Sequence, residues 1–223
     1  MPTLKALWIC PYLTMVDGIT WRSSDHTATK MVKTLKGQPF NGYFEIAQRG
    51  TRRRFASANA SEFLPTIYKN MARVILQRTQ GNVTLVPIPN SAVTSIDHPA
   101  FRTKELAEGI ASFGEGRLAS APLLVFDEAQ PSSHSSGGSR DPHHFEDIYK
   151  ITGTPAGQIV LVDDVLTTGA HLIGACWKLA DHDCEIALAS TWGRTTNEQL
   201  DPVWQVREED LHLGRFTPDF DDI

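Results

Sequence analysis

Hydrophobic and polar positions along this chain follow two periods, one typical of buried strands and one of amphipathic helices. Short runs of mostly apolar residues predict strands buried on both faces, and these runs lie at residues 82–89, 122–126, 158–162 and 184–191. Apolar residues three or four positions apart predict helices at residues 61–79, 103–113 and 170–180. Because strands and helices alternate, the pattern predicts an α/β fold with a parallel sheet and right-handed crossovers.

The first 60 residues have a less regular pattern than the rest of the chain. Short elements are predicted there, with strands at residues 7–10 and 40–48 and a helix at 30–37 that ends at a glycine. We therefore predict a small N-terminal cover subdomain at residues 1–60, a core at 61–200 and a C-terminal extension at 201–223.

Two adjacent acids follow the apolar run at residues 158–162, where a buried strand is expected to meet solvent. Ligands of parallel sheets collect at the carboxyl ends of strands, which is where Asp163 and Asp164 fall. Two neighbouring carboxylates need hydrogen-bond donors or a cation. A ribose 2,3-diol with a bound Mg²⁺ ion supplies both.

The turn after the acid pair has the composition of an anion site. Successive backbone N–H groups of Thr167, Thr168 and Gly169 can point into one concavity. A helix predicted from Ala170 directs its unpaired N–H groups and the positive end of its dipole to the same place. The sequence therefore predicts a pocket for a phosphorylated sugar, although a strand–turn–helix with an Asp cap and no ligand gives the same local pattern.

The segment from Val162 to Gly169 resembles the phosphoribosyl-pyrophosphate (PRPP) motif of the type I phosphoribosyltransferases. The resemblance implies a Rossmann-like core in which Asp163 and Asp164 bind the ribose hydroxyls and contact Mg²⁺ through the substrate. It also implies that one turn wraps the 5-phosphate, formed by Val165, Leu166, Thr167, Thr168, Gly169 and Ala170. His171 stands where the family usually has Thr or Ser.

Further segments are similar to the ComF-type, amidophosphoribosyltransferase-like branch of this family. They are the Val-Pro-Ile-Pro run at 86–89 and the Phe101, Glu105 and Leu106 positions. The resemblance to the type I phosphoribosyltransferases implies that the loop after this strand holds pyrophosphate with backbone amides. Since proline has no N–H, the donors would be Ile88, Asn90 and Ser91. The chain lacks the zinc-ribbon cysteines and the arginine-rich segment of that branch, and Arg102 is the nearest arginine.

The segment at residues 130–144 is rich in Ser, Gly, Pro and His and predicts a mobile, solvated loop. The family has a flexible catalytic loop at this place in chain order, so Arg140 would neutralise the departing pyrophosphate. His134, His143 and His144 would carry protons or contact phosphate. A disordered linker is an equal alternative for this segment. A metal site at the three histidines is a third interpretation, but no carboxylate or cysteine has convincing ligand spacing to them.

Composition narrows the classes of partner. The formal net charge of −5 argues against a nucleic-acid-binding surface. The basic run at 49–54 fits a solvated loop better than a nucleic-acid patch, and a contact to substrate phosphate is a third interpretation. Three scattered cysteines, no signal-peptide pattern and no membrane-length apolar run predict a reduced, cytoplasmic protein without a membrane partner.

The main hypothesis is a Mg²⁺-dependent phosphoribosyltransferase that transfers phosphoribosyl from PRPP to a nitrogen nucleophile and releases pyrophosphate. The acceptor would be a nucleobase or another amine, with Trp8, Tyr12, Trp21 and the segment 192–194 as candidates for contacting it. A catalytically silent PRPP or nucleotide sensor, which His171 favours, and a ribosyl-phosphate hydrolase are the alternatives. A homodimer through the sheet side or the loop is compatible with the sequence.

Overall fold

The computed structural model describes residues 2–14, 18–48, 50–130, 139–180, 182 and 184–214. It has a mixed α/β architecture with a mostly parallel central sheet, which confirms the predicted fold class. The central-sheet strands are β1 Thr3–Trp8, β2 Cys10–Leu13, β5 Val83–Pro87, β6 Leu118–Ser120, β9 Gly157–Leu166, β10 Cys184–Thr196 and β11 Arg207–His212. The remaining strands form two separate antiparallel pairs, β3 Tyr43–Gln48 with β4 Thr51–Ala56, and β7 Leu124–Phe126 with β8 Tyr149–Ile151.

The helices are α1 Ser23–Leu35, α2 Leu64–Arg78, α3 Arg102–Ala111, α4 Pro142–Ile148 and α5 Ala170–Ala180. A 3-10 turn at Ala60–Phe63 precedes α2. Pro65 lies in the first turn of α2, where a missing N–H costs no hydrogen bond. Helices α2, α3 and α5 fall where the apolar period predicts them. No helix in the described ranges combines the length and the apolar character needed to cross a membrane.

The central sheet has the strand order β11-β1-β10-β9-β5-β6, and β2 continues the β1 position alongside β10. Every pair in it is parallel except β1 with the edge strand β11. The carboxyl ends of β5, β9 and β10 therefore lie at the same edge of the sheet. Parallel strands need helical crossovers, which cover both faces and explain the continuous apolar runs in the sequence.

Side chains of β9 alternate between two hydrophobic cores, one on each face of the sheet. Val160 and Val162 pack with α1, α2 and α3, whereas Ile159 and Leu161 pack with α4 and α5. This two-residue period fixes which face each following residue of β9 presents.

Three strands differ from the sequence-based prediction. Strand β9 continues through the acid pair to Leu166 rather than ending before it, because residues 163–166 pair with β10. The predicted core strand at 122–126 exists as β7, but it pairs with β8 outside the central sheet. The sheet edge beside β5 is taken instead by the three-residue strand β6, which is too short to give a recognisable period.

The N-terminal segment contributes to the central sheet, which differs from the expectation of a separate cover subdomain at residues 1–60. Strands β1 and β2 both pair with β10, since their buried apolar residues fit the interior of the sheet. Helix α1 starts seven positions earlier than predicted and buries its Met31 and Val32 against the same core.

The basic run lies on strand β4 rather than on a loop. Arg53 pairs with Glu62 at 2.8 Å and Arg54 pairs with Glu45 at 2.9 Å, both at the surface. Exposed pairs of this kind contribute about 0–1 kcal/mol. The arginines are thus engaged locally, and Arg49 lies outside the described residues.

Candidate functional site

Parallel pairing assembles the sequence-predicted site at the carboxyl edge of the sheet. Pro87 of β5 is in register with Val162 of β9, so the loop after β5 lies beside the acid pair. On the other side, Thr191 of β10 is in register with Asp163. The acid pair therefore lies between the predicted pyrophosphate loop and strand β10, although these segments are distant in the chain.

The two acids are directed to opposite faces of the sheet. Asp163 lies on the α5 side, where it interacts electrostatically with the buried Tyr149, and its Oδ1 accepts the Asp164 N–H at 2.8 Å. Burial raises the pKa of Asp163 well above its ordinary value, and the charge of Asp164 raises it further. A carboxylate in this position is stabilised by hydrogen-bond donors or a cation, which is what a ligand diol or a metal ion supplies.

Asp164 faces α1 and α3, where two basic residues border it. The Lys36 Nζ lies 3.8 Å from Asp164 Oδ2. Burial raises the pKa of Asp164, while the charges of Lys36 and Arg102 oppose that rise. No motif or spacing connects Lys36 with the acid pair, because only the packing of α1 on the sheet brings them together.

The turn at residues 167–169 has the geometry expected of an anion site. Thr167 and Thr168 are exposed, and Gly169 adopts a φ of +82° that residues with a side chain rarely take. Helix α5 begins at Ala170, whose N–H lies 3.4 Å from the Thr168 hydroxyl oxygen. The first N–H groups of a helix have no partner within it, so those of α5 are directed toward the turn.

The C-terminal strand supports this turn from behind. Arg194 donates from Nη1 to the Thr167 carbonyl at 2.7 Å and from Nε to Glu209 of β11 at 2.9 Å. A Cβ atom on Gly169 would come within 3.0 Å of the Leu211 side chain, so β11 also fixes the space behind the turn. Strand β11 of the predicted C-terminal extension at residues 201–223 therefore packs against the turn. Residues 215–223 lie outside the described chain.

Val165 and Leu166, expected to wrap the phosphate, belong to strand β9 instead. Their side chains are buried, one in each core, and their register partners are on β10. Their contribution is to anchor the start of the turn, and the exposed residues that follow them are Thr167 and Thr168.

The loop after β5 differs from the prediction at its first residue. The Ile88 N–H donates to the Val162 carbonyl at 2.9 Å, and the Ile88 carbonyl accepts from Thr103 at 2.5 Å. This amide is therefore not free to bind pyrophosphate, because the ladder between β5 and β9 extends one residue beyond the strand. The Asn90 side chain donates to the Ala100 carbonyl at 2.5 Å, and the Ser91 carbonyl accepts from Gln130 at 2.7 Å. Both residues belong to the loop that follows β5.

The segment at 130–144, predicted as a mobile loop, ends in a helix. Asp141 accepts the His143 N–H and so caps α4, which includes His143 and His144 and packs on α5. Arg140 is exposed just before this helix, and the described residues show no contact between it and the acid pair. His134 lies outside the described residues. No group of three potential metal-ligating side chains occurs in the described ranges.

Two tryptophans considered for an acceptor base are core residues. Trp8 and Trp192 are 6% and 3% exposed and pack in opposite cores, so neither ring is available for stacking on a ligand. Packing is therefore their role in this fold.

His171 is directed away from the turn into an aromatic cluster. Its ring centroid lies 3.9 Å from that of Phe145 and 6.2 Å from that of Phe126. Burial lowers its pKa to about 4, and the neighbouring His144 contributes to this shift. The imidazole is neutral near pH 7 and packs on α4, so it does not replace a hydroxyl at the turn of residues 167–169.

We expect His171 to make folding stability depend on pH between 6.5 and about 4. Because its pKa is lower in the folded protein, the unfolded chain takes up the proton first on acidification. Its contribution of roughly 3 kcal/mol is complete above pH 6.5 and is lost as the pH falls toward 4. Denaturant unfolding across this range should show a shallower acid dependence in His171→Phe, and no such change in the exposed control His212→Gln. An NMR titration of His171 with a midpoint near 6.5 would contradict this assignment.

Comparison with solved structures finds adenine phosphoribosyltransferases among the similar folds. One is the enzyme from Saccharomyces cerevisiae complexed with D-2,5-dideoxy-2,5-imino-altritol 1,6-bisphosphate and adenine, at 12% identity and a TM-score of 0.37, over 74% of this chain and 88% of that chain. A second adenine phosphoribosyltransferase has 12% identity and a TM-score of 0.38, over 74% and 89% of the two chains. No protein-family model and no curated protein sequence matches the chain. Similarity of this degree leaves the function to be argued from the residues of the chain itself.

Proposed function

We propose that this protein is a PRPP-dependent phosphoribosyltransferase, which transfers phosphoribosyl to a nitrogen nucleophile and releases pyrophosphate. One observation carries the proposal. A partly buried acid pair is followed on the same strand end by the exposed Thr167 and Thr168 and the buried Gly169, at the N-terminus of α5. Acceptors for a diol and donors for a phosphate therefore lie a few residues apart. They match the hydroxyls and the phosphate at the two ends of a 5-phosphorylated ribose.

The protein's part in the reaction is to bind and orient the two substrates. Asp163 and Asp164 accept hydrogen bonds from the ribose hydroxyls, and the turn from Thr167 to Gly169 donates to the 5-phosphate. Arg194 holds the Thr167 carbonyl and so keeps the turn in its binding conformation. The acceptor nitrogen then attacks C1 as the C1–O bond to pyrophosphate breaks, and no side-chain nucleophile takes part.

The acid pair is chemically suited to Mg²⁺ but provides too few ligands to hold it alone. Mg²⁺ prefers six oxygen ligands, and the described residues offer no third acidic or histidine ligand beside the pair. The ion would be bound through Asp163 or Asp164 together with substrate and water oxygens, and it would neutralise the charge of the leaving pyrophosphate.

A catalytically silent PRPP sensor is the second candidate, and the loop after β5 favours it. The Ile88 amide is occupied by the Val162 carbonyl, which removes one of the predicted pyrophosphate donors. A protein that binds the ribose 5-phosphate end but holds pyrophosphate weakly would bind PRPP without turning it over. The ComF-type branch, the homodimer and the role of Arg140 all stay predictions.

Calorimetry followed by a turnover assay tests the proposal. The protein is titrated with PRPP and with ribose 5-phosphate in the presence of Mg²⁺, and pyrophosphate release is then measured with a panel of nucleobases and small amines. Binding with acceptor-dependent release supports transfer. Binding without release supports the sensor, release that needs no acceptor supports a hydrolase, and absence of binding to either ligand contradicts all three.

A further inference from the structure

A basic side chain from the N-terminal segment reaches the acid pair, and neither the acid motif nor the turn accounts for it. Lys36 follows the last residue of α1, and its Nζ lies 3.8 Å from Asp164 Oδ2. The side chains of Lys36 and Asp164 are 20% and 26% exposed, so the pair borders the site and remains open to a ligand. Among the described residues, no other salt bridge reaches Asp163 or Asp164.

The position of Lys36 is fixed by the end of α1, the start of α3 and the conformation of Gly37. Its N–H donates to the Val32 carbonyl at the end of α1. Its carbonyl accepts from the guanidinium of Arg102, the first residue of α3. Gly37 adopts a φ of +61°, and a Cβ atom there would lie 3.2 Å from Arg102 Nη1. The end of α1 is therefore held against the start of α3, and Arg102 is a positioning residue for Lys36.

The start of α3 is itself attached to the loop after β5. Thr103 donates its hydroxyl to the Ile88 carbonyl at 2.5 Å, next to the Asn90 and Ser91 segment. The Lys36 ammonium, the Arg102 guanidinium and the N-terminal end of α3 thus border the loop beside Asp164. This concentration of positive charge suits a ligand with more than one negative charge.

The contact between Lys36 and Asp164 is weak enough to be exchanged. A separation of 3.8 Å exceeds the usual hydrogen-bond range of about 2.7–3.2 Å. A partly exposed pair of this kind contributes about 1 kcal/mol or less. An ammonium group has three donors and can bind phosphate oxygens from several directions.

We propose that Lys36 is a substrate-binding residue that leaves Asp164 for the diphosphate of the donor when the ribose hydroxyls occupy Asp164. This inference rests on the proposed function, because it assigns a ligand to the same site. Lys36 then has two partners in succession. It neutralises Asp164 in the free protein and the pyrophosphate group in the complex, which compensates for the occupied Ile88 amide.

Separate titrations with magnesium pyrophosphate and with ribose 5-phosphate test the assignment on the full chain. We expect Lys36→Gln to weaken pyrophosphate binding about tenfold or more, which corresponds to about 1.4 kcal/mol. Ribose 5-phosphate affinity should be unchanged or slightly higher, because Asp164 loses a competing partner. Lys33→Gln, in the last turn of the same helix, is the matched control and should change neither affinity. Lys36→Arg keeps the charge and should retain most of the pyrophosphate affinity.

The outcomes separate this inference from the proposed function. If the wild type binds both ligands and Lys36→Gln binds pyrophosphate equally well, the role of Lys36 is refuted and the proposed function stands. Equal losses for both ligands in Lys36→Gln would show that Lys36 only holds Asp164 in place, which also refutes the exchange. A wild type that binds neither ligand refutes both. Melting temperatures of the variants within about 2 °C of the wild type establish that folding is intact.

Discussion

Replacing Asp164 with asparagine is expected to lower the affinity for PRPP and Mg²⁺ about 100-fold or more. The amide has the same size but lacks the charge that the ribose hydroxyls and the metal ion need. A hydrogen bond to a charged acceptor contributes about 1.5–3 kcal/mol, and Asp164 would accept at least one from the diol while it supports the cation. In the variant, Lys36 also loses the partner that lies 3.8 Å away. Calorimetric titration with PRPP and Mg²⁺ measures the effect.

Asp210→Asn is the control for this change. Asp210 pairs with Lys5 on the exposed side of β11, so its replacement should leave PRPP affinity unaltered and stability nearly so. Asp164 is itself partly exposed, and we therefore expect its variant to melt close to the wild type. Unchanged PRPP binding by a folded Asp164→Asn protein would rule out the acid pair as the ribose site.

Replacing Gly169 with alanine is expected to destabilise the fold and to abolish most of the phosphate binding. The φ of +82° costs a residue with a side chain about 1–2 kcal/mol, and the new methyl group would lie 3.0 Å from Leu211. Either the turn or β11 must move, and the N–H groups of the turn then lose their common direction. We expect about 2 kcal/mol less stability and at least about a tenfold loss of ribose 5-phosphate affinity. Denaturant unfolding and calorimetry measure the two effects.

Gly157→Ala separates backbone strain from the role of the turn. Gly157 begins the same strand with a φ of +68°, and an added Cβ atom would meet nothing within 4 Å. This control should show the conformational cost alone, with ribose 5-phosphate affinity preserved. Equal affinity losses in both variants would indicate that general destabilisation, rather than the geometry of the turn, limits binding.

Local sequence pattern predicted the elements whose signal is contained in a few consecutive residues. The apolar runs that became β5, β9 and β10, and the helical spacing of α2, α3 and α5, reflect burial on known periods. The glycine at 169 and the hydroxyls before it indicated a turn at a helix N-terminus, and the structure has that turn. These features need no distant contact to be recognised, because strand, turn and helix are consecutive.

Element boundaries and sheet membership were less predictable. The acid pair predicts the end of a strand, but β10 pairs with β9 as far as Leu166, and this pairing depends on a segment later in the chain. The apolar residues of β7 gave a correct strand but an incorrect sheet. Their hydrogen-bond partners are on β8, which follows α4. An apolar run indicates burial, whereas the partner strand is decided by how the chain is connected.

By itself the sequence determined an α/β protein in which an acid pair, a Thr-Thr-Gly turn and a helix follow a buried strand. The tertiary structure alone decided what surrounds them. It directs His171 into an aromatic cluster, occupies the Ile88 amide, brings Lys36 to Asp164 and places Arg194 and Glu209 behind the turn. The physical reason is that periodicity and turn composition are set by neighbours in the chain. Side-chain partners are set by the packing of helices and strands that are distant in sequence.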